Sequence, residues 1–153
     1  AFAKALKFRT VGVVDHSVRT AILEAGLEAN WEQIAYVPHE ELLAYQKSSK
    51  VLLVSINNTP NATGILPGKF FEYLASGRPI LAIGPKKSDI GRVLEMTQAG
   101  CIVEPEDVTE IKSVLLGLYQ KTAGIHRNES NVNSFSRKLI TKQLAGLLSQ
   151  TSA

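Results

Sequence analysis

A lysine and a glutamate one helical turn apart, Lys69 and Glu72, are the pair in this sequence whose types and spacing best suit ligand chemistry. A lysine supplies positive charge for a phosphate, and a carboxylate accepts two hydrogen bonds, which matches a ribose diol. Gly64 and Gly68 precede the pair, so the backbone there can approach a ligand closely, and free N–H groups at a helix start favour an anion. The alternative interpretation is a surface ion pair that stabilises the helix by about 0.2–0.5 kcal/mol.

The element that must position this pair is a predicted helix over residues 69–76, with Gly77 placed to cap its end. At about 100° per residue, the helix has an apolar side that can pack on a sheet and a polar side left open. The predicted apolar side carries Phe70, Phe71, Leu74 and Ala75, and the predicted polar side carries Lys69, Glu72, Tyr73 and Ser76.

Other familiar nucleotide and phosphate motifs are absent. Residues 12–17 contain one glycine where a dinucleotide fingerprint needs three, and residues 84–88 have the wrong spacing for a P-loop. Asp15 ends the first predicted strand as in a phosphate-receiver domain, but residues 55–57 offer no second acid. We therefore predict that Asp15 caps a helix or forms a turn.

Metal and nucleophile chemistry has little support. The three histidines lie far apart, without metal-ligand spacing, and are predicted to be exposed: His16, His39 and His126. Ser55 and Ser76 lack a nearby His and acid, so no catalytic triad is visible. Cys101, the sole cysteine, excludes an intrachain disulfide and suggests a buried strand thiol.

Composition bounds the remaining classes. The 153 residues are 44% hydrophobic and 20% charged, with a net charge of +3 that is spread along the chain. Nucleic-acid binders usually concentrate positive charge on one face, so no nucleic-acid partner is expected. No apolar run approaches the roughly 18 residues of a membrane span, and no signal peptide opens the sequence. These features indicate a soluble globular domain.

Strand-like and helix-like segments alternate along the chain, which predicts a parallel sheet with helices on both faces. The third strand lacks polar alternation and is expected to be buried on both faces. Ligands of such sheets bind at the carboxyl ends of strands, here the loops after Val14, Val37, Ile56 and Ile83. The predicted strands are 8–14, 33–37, 51–56, 79–83 and 101–103. The first predicted helices are 18–24, 39–47 and 69–76, followed by one capped by Ser88 and one capped by Asp107. A polar segment, 121–134, then precedes a last predicted helix over 135–148.

The segment 67–81, Pro-Gly-Lys-Phe-Phe-Glu-Tyr-Leu-Ala-Ser-Gly-Arg-Pro-Ile-Leu, resembles the donor-site motif of GT-B glycosyltransferases, specifically glycosyltransferase family 4. That motif has the form P-x-K-x-x-E-Y-x-A-x-G-x-P before an apolar strand. Segments 34–42, 51–54 and 99–107 are similar to other parts of the family in the same order. The resemblance covers roughly residues 8 to 150.

The resemblance implies a Rossmann-like, three-layer α/β/α fold, one half of a GT-B enzyme, with residues 1–153 as a single C-terminal domain that binds a nucleotide-sugar donor. It implies that Glu72 contacts the ribose and that no metal or other cofactor is required. Lys69 and the backbone of Gly64, Ile65 and Leu66 would lie near the diphosphate, and the turn of Tyr36 and Val37 near the base.

Two departures from the family pattern stand out. Gly64 occupies the place where the family often has a second glutamate, which faces the sugar. The first strand and helix of the family's half-domain, and its N-terminal acceptor domain, are expected to be missing from this chain. The catalytic residues are therefore unassigned, and this fragment alone is expected to be inactive.

The leading hypothesis is a glycosyltransferase that moves a sugar from a nucleotide-sugar to an acceptor hydroxyl, in the synthesis of bacterial cell-surface glycans. The alternatives are a non-catalytic α/β interaction module and part of a nucleotide-sugar epimerase. We expect a cytoplasmic protein, peripheral at the inner face of the membrane in its full-length form. The last helix is expected to expose an apolar strip, or to bury it in a homodimer.

Overall fold

In a computed structural model, the chain is described for residues 2–57 and 59–151, with Asn58 of the loop after the third predicted strand outside that range. The chain divides into two compact units, Ala1–Ser48 and Ser49–Ala153. Each unit contains one parallel sheet with helices, of two strands in the first and three in the second. The predicted α/β class with parallel strands is confirmed, and the strands are divided between two sheets.

The Ala1–Ser48 unit is built on two parallel strands whose register runs from Phe8 opposite Trp31 to Val11 opposite Ile34. Asp15 is the N-cap of the helix between them: its Oδ1 accepts hydrogen bonds from the Ser17 N–H at 2.8 Å and the Ser17 hydroxyl at 2.5 Å. The predicted capping role of Asp15 is thereby confirmed. The elements are α1 (Phe2–Ala5), β1 (Phe8–Val11), α2 (His16–Glu24), a 3₁₀ turn (Glu28–Asn30), β2 (Trp31–Ile34) and α3 (His39–Ser48).

The Ser49–Ala153 unit has three parallel strands in chain order, with Leu52 opposite Ile80 and Ile80 opposite Gly100. Its core lies between this sheet and the helices that connect its strands. The elements are β3 (Leu52–Ser55), a 3₁₀ turn (Ala62–Gly64), α4 (Gly68–Ser76), β4 (Ile80–Ile83), α5 (Asp89–Thr97), β5 (Gly100–Val103), α6 (Val108–Gln120), α7 (Glu129–Ser134) and α8 (Arg137–Thr151).

The predicted helix signals in the second unit are confirmed. Gly77 ends α4 in the left-handed region, with φ of 76°. The Ser88 hydroxyl oxygen accepts a hydrogen bond from the Gly91 N–H at 3.2 Å, and the Asp107 carboxylate accepts one from the Glu110 N–H at 2.8 Å. These caps explain where α5 and α6 begin.

Two predicted burial patterns are wrong. β3 is not buried on both faces, because Leu52 and Val54 are buried on one face whereas Leu53 on the other is 41% exposed. On α4 the buried arc is centred between Phe70 and Leu74, so Tyr73 packs against the core while Ala75, farther round the helix, is exposed. The prediction was wrong for these two residues, since it placed Tyr73 on the polar side of α4 and Ala75 on the apolar side.

The end of the chain also differs from its prediction. The polar segment 121–134 contains α7, because the Asn128 side chain caps it and the buried Val132 anchors it to the core. The last helix is α8, and its apolar strip is exposed as expected, with Leu147 at 62%. Dimerisation through that strip stays a prediction. No helix among the described residues is long and apolar enough to span a membrane.

Candidate functional site

The N-terminus of α4 leaves backbone donors open at the end of the loop that follows β3. Its N-cap residue, Pro67, has no polar side chain, and no side chain caps the helix. The Phe70 N–H donates to the Pro67 carbonyl at 2.9 Å, so the N–H groups of Gly68 and Lys69 are the ones available to a ligand. The nine-residue helix directs the positive end of its dipole to the same point.

Lys69 and Glu72 are positioned by the burial of the residues between and beyond them. Phe70 is completely buried in the core, which fixes the rotation of the helix. Lys69 is exposed in the first turn and makes no ion pair with any residue in 2–57 or 59–151. Glu72 is half-buried one turn later and has an interaction within the chain. The predicted one-turn spacing of the pair is present.

Tyr73 follows Glu72 on α4 and is affected by its charge. Burial raises the pKa of the Tyr73 phenol, and the nearby Glu72 charge raises it further. The Tyr73 ring packs against the core cluster. The half-buried Glu72 carboxylate is therefore close enough to Tyr73 for its charge to act on the phenol.

The turn before α4 offers fewer free donors than its glycine suggests. The Gly64 N–H donates to the Asn61 carbonyl at 3.0 Å and the Ile65 N–H to the Ala62 carbonyl at 3.3 Å, both within the 3₁₀ turn. Ile65 also packs against the core, and Leu66 is exposed. Of the three predicted backbone contacts, the Leu66 N–H is thus the one without a partner among the described residues.

An open cleft of about 760 Å³ adjoins this turn, and a second basic segment also lines it. Its lining includes Thr63 and Gly64 from the turn, and Lys86, Lys87 and Arg92 from the loop and helix that follow β4. Lys87 is not among the site residues predicted from the sequence. The signal that could have found it is its place in the loop after Ile83, one of the four loops at carboxyl strand ends.

Two of the three cations in the cleft are already paired. Lys86 Nζ lies 2.7 Å from a Glu110 carboxylate oxygen, and this hydrogen-bonded pair raises the pKa of Lys86. Arg92 forms an ion pair with Asp89. Lys87 makes no ion pair with any other residue that the structure describes. Lys87 is therefore the cation of this cleft that is available to an external anion.

The remaining predicted site residues, Tyr36 and Val37, belong to the Ala1–Ser48 unit. They follow β2, which ends at Ile34, and thus lie at the carboxyl end of its sheet. Tyr36 is 84% exposed and Val37 is half-buried. The structure brings residues 64–72 together in one unit and places this turn in the other.

The residues considered for metal or nucleophile chemistry form no cluster. His16, His39 and His126 are exposed, as predicted. Among the described residues, no group of three His, Cys, Asp or Glu side chains could hold a metal ion. Cys101 lies on β5 as predicted and is half-buried, and that burial raises the pKa of its thiol.

Comparisons with known proteins bear on the fold. No protein-family model matches the chain, and no curated protein matches it. Among solved structures, sucrose-phosphate synthase from Thermosynechococcus elongatus matches with a TM-score of 0.67 and 18% sequence identity, over 94% of this chain and 38% of that one. The chain thus spans less than half the length of the structure it matches.

That synthase is a GT-B glycosyltransferase. At 18% identity, the likeness is evidence of the fold alone. The chain has a Rossmann-like α/β fold of the kind that forms one half of a GT-B glycosyltransferase.

Proposed function

We propose that this chain is the nucleotide-sugar-binding domain of a glycosyltransferase of family 4. One observation carries the proposal: α4, at the end of the loop that follows the parallel strand β3, begins with open backbone N–H groups beside Lys69 and presents the carboxylate of Glu72 one turn later. This arrangement can hold an anion and a diol at adjacent positions. The GT-B-like fold supports the same conclusion.

In the proposed complex, the diphosphate of the donor accepts hydrogen bonds from the α4 N-terminus and the Leu66 N–H. Lys69 and Lys87 neutralise its charge. The ribose hydroxyls donate to the Glu72 carboxylate, and the base lies on the turn of Tyr36 and Val37. Hydrogen bonds to a charged group contribute about 1.5–3 kcal/mol each, so Glu72 is expected to dominate selection of a nucleotide over bare phosphate.

The transfer step follows from this placement of the diphosphate. The oxygen of the acceptor hydroxyl forms a bond to the anomeric carbon, and the bond from that carbon to the diphosphate oxygen breaks. Its electron pair leaves on the nucleoside diphosphate, and the hydroxyl proton passes to a base outside the residues assigned here. A lysine and a helix N-terminus stabilise the developing negative charge without requiring a metal ion.

We place this domain in a longer enzyme that makes bacterial cell-surface glycans from inside the cell, next to an acceptor-binding domain. In that assignment residues 1–153 form the donor domain and supply binding rather than the complete reaction. The chain alone is expected to bind nucleotide weakly and to transfer no sugar.

Calorimetric titration of the chain with UDP, GDP, ADP and CMP tests the proposal. We expect one nucleotide to bind selectively, in a range that includes millimolar affinity, about 4 kcal/mol. Glu72→Ala should weaken that binding at least tenfold, and Lys69→Ala should weaken it as well. The matched controls are Glu106→Ala and Lys112→Ala, two exposed residues of the same unit, which should bind like the parent.

Circular dichroism should first show that each variant keeps the parent fold. Binding that survives Glu72→Ala unchanged would contradict the ribose contact. A failure of all four nucleotides to bind would contradict the donor-site assignment and favour a non-catalytic interaction module.

A further inference from the structure

α8 differs from the other long helices of its unit in exposure. Phe135, just before it, packs on the core, and its ring centroid lies 6.3 Å from that of Phe71. From Ser136 to Gln150, every residue is exposed. The large apolar side chains of α8 are between 39% and 62% exposed: Leu139, Ile140, Leu144, Leu147 and Leu148. The helix is therefore anchored at its start and open to an external surface along the rest of its length.

The exposed apolar residues form one strip along α8. At about 100° per residue, Ile140, Leu144 and Leu147 lie within about 60° of one another around the helix axis. The other two leucines flank them, one on either side. Lys138 and Lys142 lie on the opposite face. α8 is therefore an amphipathic helix whose polar face is basic.

The charge of α8 has one sign. The helix carries Arg137, Lys138 and Lys142, and no Asp or Glu occurs anywhere in residues 130–153. Each of the other described helices of nine residues or more contains at least one acid. The three cations of α8 make no ion pair with any described residue. Two of them stand in the first turn, where the helix dipole disfavours positive charge, so an external anionic surface would complement this helix.

An open groove of about 590 Å³ runs beside the strip. A Cβ added at Gly146, which lines this groove, would meet no described atom within 4 Å. The lining combines apolar side chains with a cation and two amides: Leu139, Lys142, Gln143, Gly146, Leu147 and Gln150. The leucines suit an acyl chain, and the lysine suits the phosphate of a lipid headgroup.

We propose that α8 binds the surface of an anionic lipid bilayer, with its leucine strip inserted below the headgroups and its cations near the lipid phosphates. Amphipathic helices with a basic polar face and leucines on the other face lie in the plane of the membrane interface. Affinity grows with the apolar area buried in the bilayer, and each Lys or Arg near an anionic surface raises it about fivefold.

A second copy of this chain would complement α8 less well than a bilayer does. The cations of two such helices would meet without an acid on either helix to pair with them. The inference does not depend on the donor site, and it assigns a particular element to the peripheral membrane location that we expect from the sequence.

The test is co-sedimentation of the 1–153 chain with vesicles of phosphatidylglycerol, which are anionic, and of phosphatidylcholine, which carry no net charge. Leu144→Ser interrupts the strip, and Lys138→Gln and Lys142→Gln each remove one cation. The matched controls are Leu116→Ser and Lys112→Gln, at exposed positions of α6, a helix that contains an acid. Because all five positions are exposed, every variant is expected to retain the parent circular dichroism spectrum.

We expect the parent to bind phosphatidylglycerol vesicles at least about tenfold more tightly than phosphatidylcholine vesicles, since only the former attract its cations. Leu144→Ser should weaken binding to phosphatidylglycerol at least about fivefold, because less apolar area enters the bilayer. Each lysine variant should weaken it about fivefold, and added salt should weaken it further. Both α6 controls should bind like the parent.

Equal binding of the parent to both kinds of vesicle, binding to neither, or unchanged binding by Leu144→Ser would overturn the proposal. Sedimentation equilibrium identifies the other occupant of the strip. A dimer that Leu144→Ser dissociates, without vesicle binding by the parent, would assign the strip to a second copy and overturn the membrane contact. Glu72→Ala should bind vesicles like the parent, so the membrane contact and the donor site are tested separately.

Discussion

The two compact units of this chain are held together in different ways. Of the sixteen buried apolar residues among those described, Ile22 lies in the Ala1–Ser48 unit and fifteen lie in the Ser49–Ala153 unit. The first unit relies instead on contacts nearer the surface, such as the Arg9–Glu32 ion pair at 2.8 Å and the Arg19 guanidinium over the Trp31 ring. The second is organised around fully buried side chains such as Phe70 and Ile80.

The difference in packing predicts that the proposed site residues of the two units differ in rigidity. A side chain on an element with a packed core is held in place before any ligand arrives, whereas a two-stranded sheet with a shallow core opens more readily. Lys69 and Glu72 stand on α4, which is anchored by Phe70, while Tyr36 stands on the shallow unit. We therefore expect the phosphate and ribose contacts to be preformed and the base contact to be ordered by binding.

The largest effect should come from removing a core ring. Phe70→Ala should lower the free energy of unfolding by about 3–5 kcal/mol, because the side chain is completely buried and leaves a cavity. Phe8→Ala, at a half-buried position of β1, should cost clearly less. Urea denaturation checks both variants, and equal losses would contradict the difference in packing between the two units.

A glycine in the second sheet should be nearly as sensitive. A Cβ added at Gly100 would lie 1.9 Å from the Ile80 carbonyl oxygen, so Gly100→Ala must displace the β4–β5 backbone. We expect a loss of about 1–3 kcal/mol or more in unfolding free energy. The control is Gly117→Ala in α6, where the new methyl would meet atoms no closer than 3.5 Å and helix propensity should improve. A Gly100→Ala protein as stable as the control would contradict this packing.

In the first unit, the expected effects are smaller and local. Arg9→Gln removes both the ion pair with Glu32 and the stacking on Tyr45. Since exposed pairs of this kind contribute at most about 1 kcal/mol, global stability should change little. Hydrogen exchange should accelerate in β1 and β2 and remain unchanged in β3–β5. Acceleration across both units would show that they unfold together.

The pH dependence of the first unit should report the α2 cap. The Ser17 hydroxyl and N–H lower the pKa of Asp15 below its ordinary value. That contribution to stability is present at neutral pH and is lost as the pH falls from the ordinary aspartate pKa of about 4 through the lowered pKa of Asp15 in the folded chain. Hydrogen exchange of α2 should therefore differ between the parent and Asp15→Ala at pH 7, and the difference should shrink at pH 3. A difference that is independent of pH would rule out the ionised cap.

The smallest effect is expected on α8. Leu147 is 62% exposed, so Leu147→Ser should change the free energy of unfolding by less than about 0.5 kcal/mol. Thermal and urea denaturation at several protein concentrations checks this value. A loss greater than 1 kcal/mol that grows with protein concentration would show that the strip is buried in a homodimer.

Local signals in the sequence predicted the order of the elements and several of their boundaries. Ser88, Asp107 and Gly77 act through contacts within a few residues, so their capping roles could be inferred without tertiary information. The exposure of Leu53 could not be inferred in this way, because it depends on whether another element covers that face of β3. α7 was missed because one buried residue, Val132, anchors an otherwise polar segment.

In the candidate site, too, the features set by local sequence were predicted and those set by tertiary structure were not. Lys69 and Glu72 are close in sequence, so helical periodicity alone predicted their spacing on α4. The hydrogen bonds that occupy the N–H groups of Gly64 and Ile65 arise from a 3₁₀ turn, which glycine content does not reveal. Lys87 could be identified only from the tertiary structure. Glu110 pairs with Lys86 and Asp89 pairs with Arg92, which leaves Lys87 as the unpaired cation of the cleft among the described residues.

The most direct test of the proposed donor site at the start of α4 is a nuclear magnetic resonance titration of the ¹⁵N-labelled chain with UDP, GDP, ADP and CMP. We predict that one nucleotide shifts the backbone amide signals of Leu66, Gly68, Lys69 and Glu72 in a saturable manner, and that Glu72→Ala removes the saturation. Absence of any shift at 10 millimolar nucleotide, a concentration that would detect binding of about 3–4 kcal/mol, would contradict the donor site. Shifts confined to other elements, such as α8, would contradict it as well.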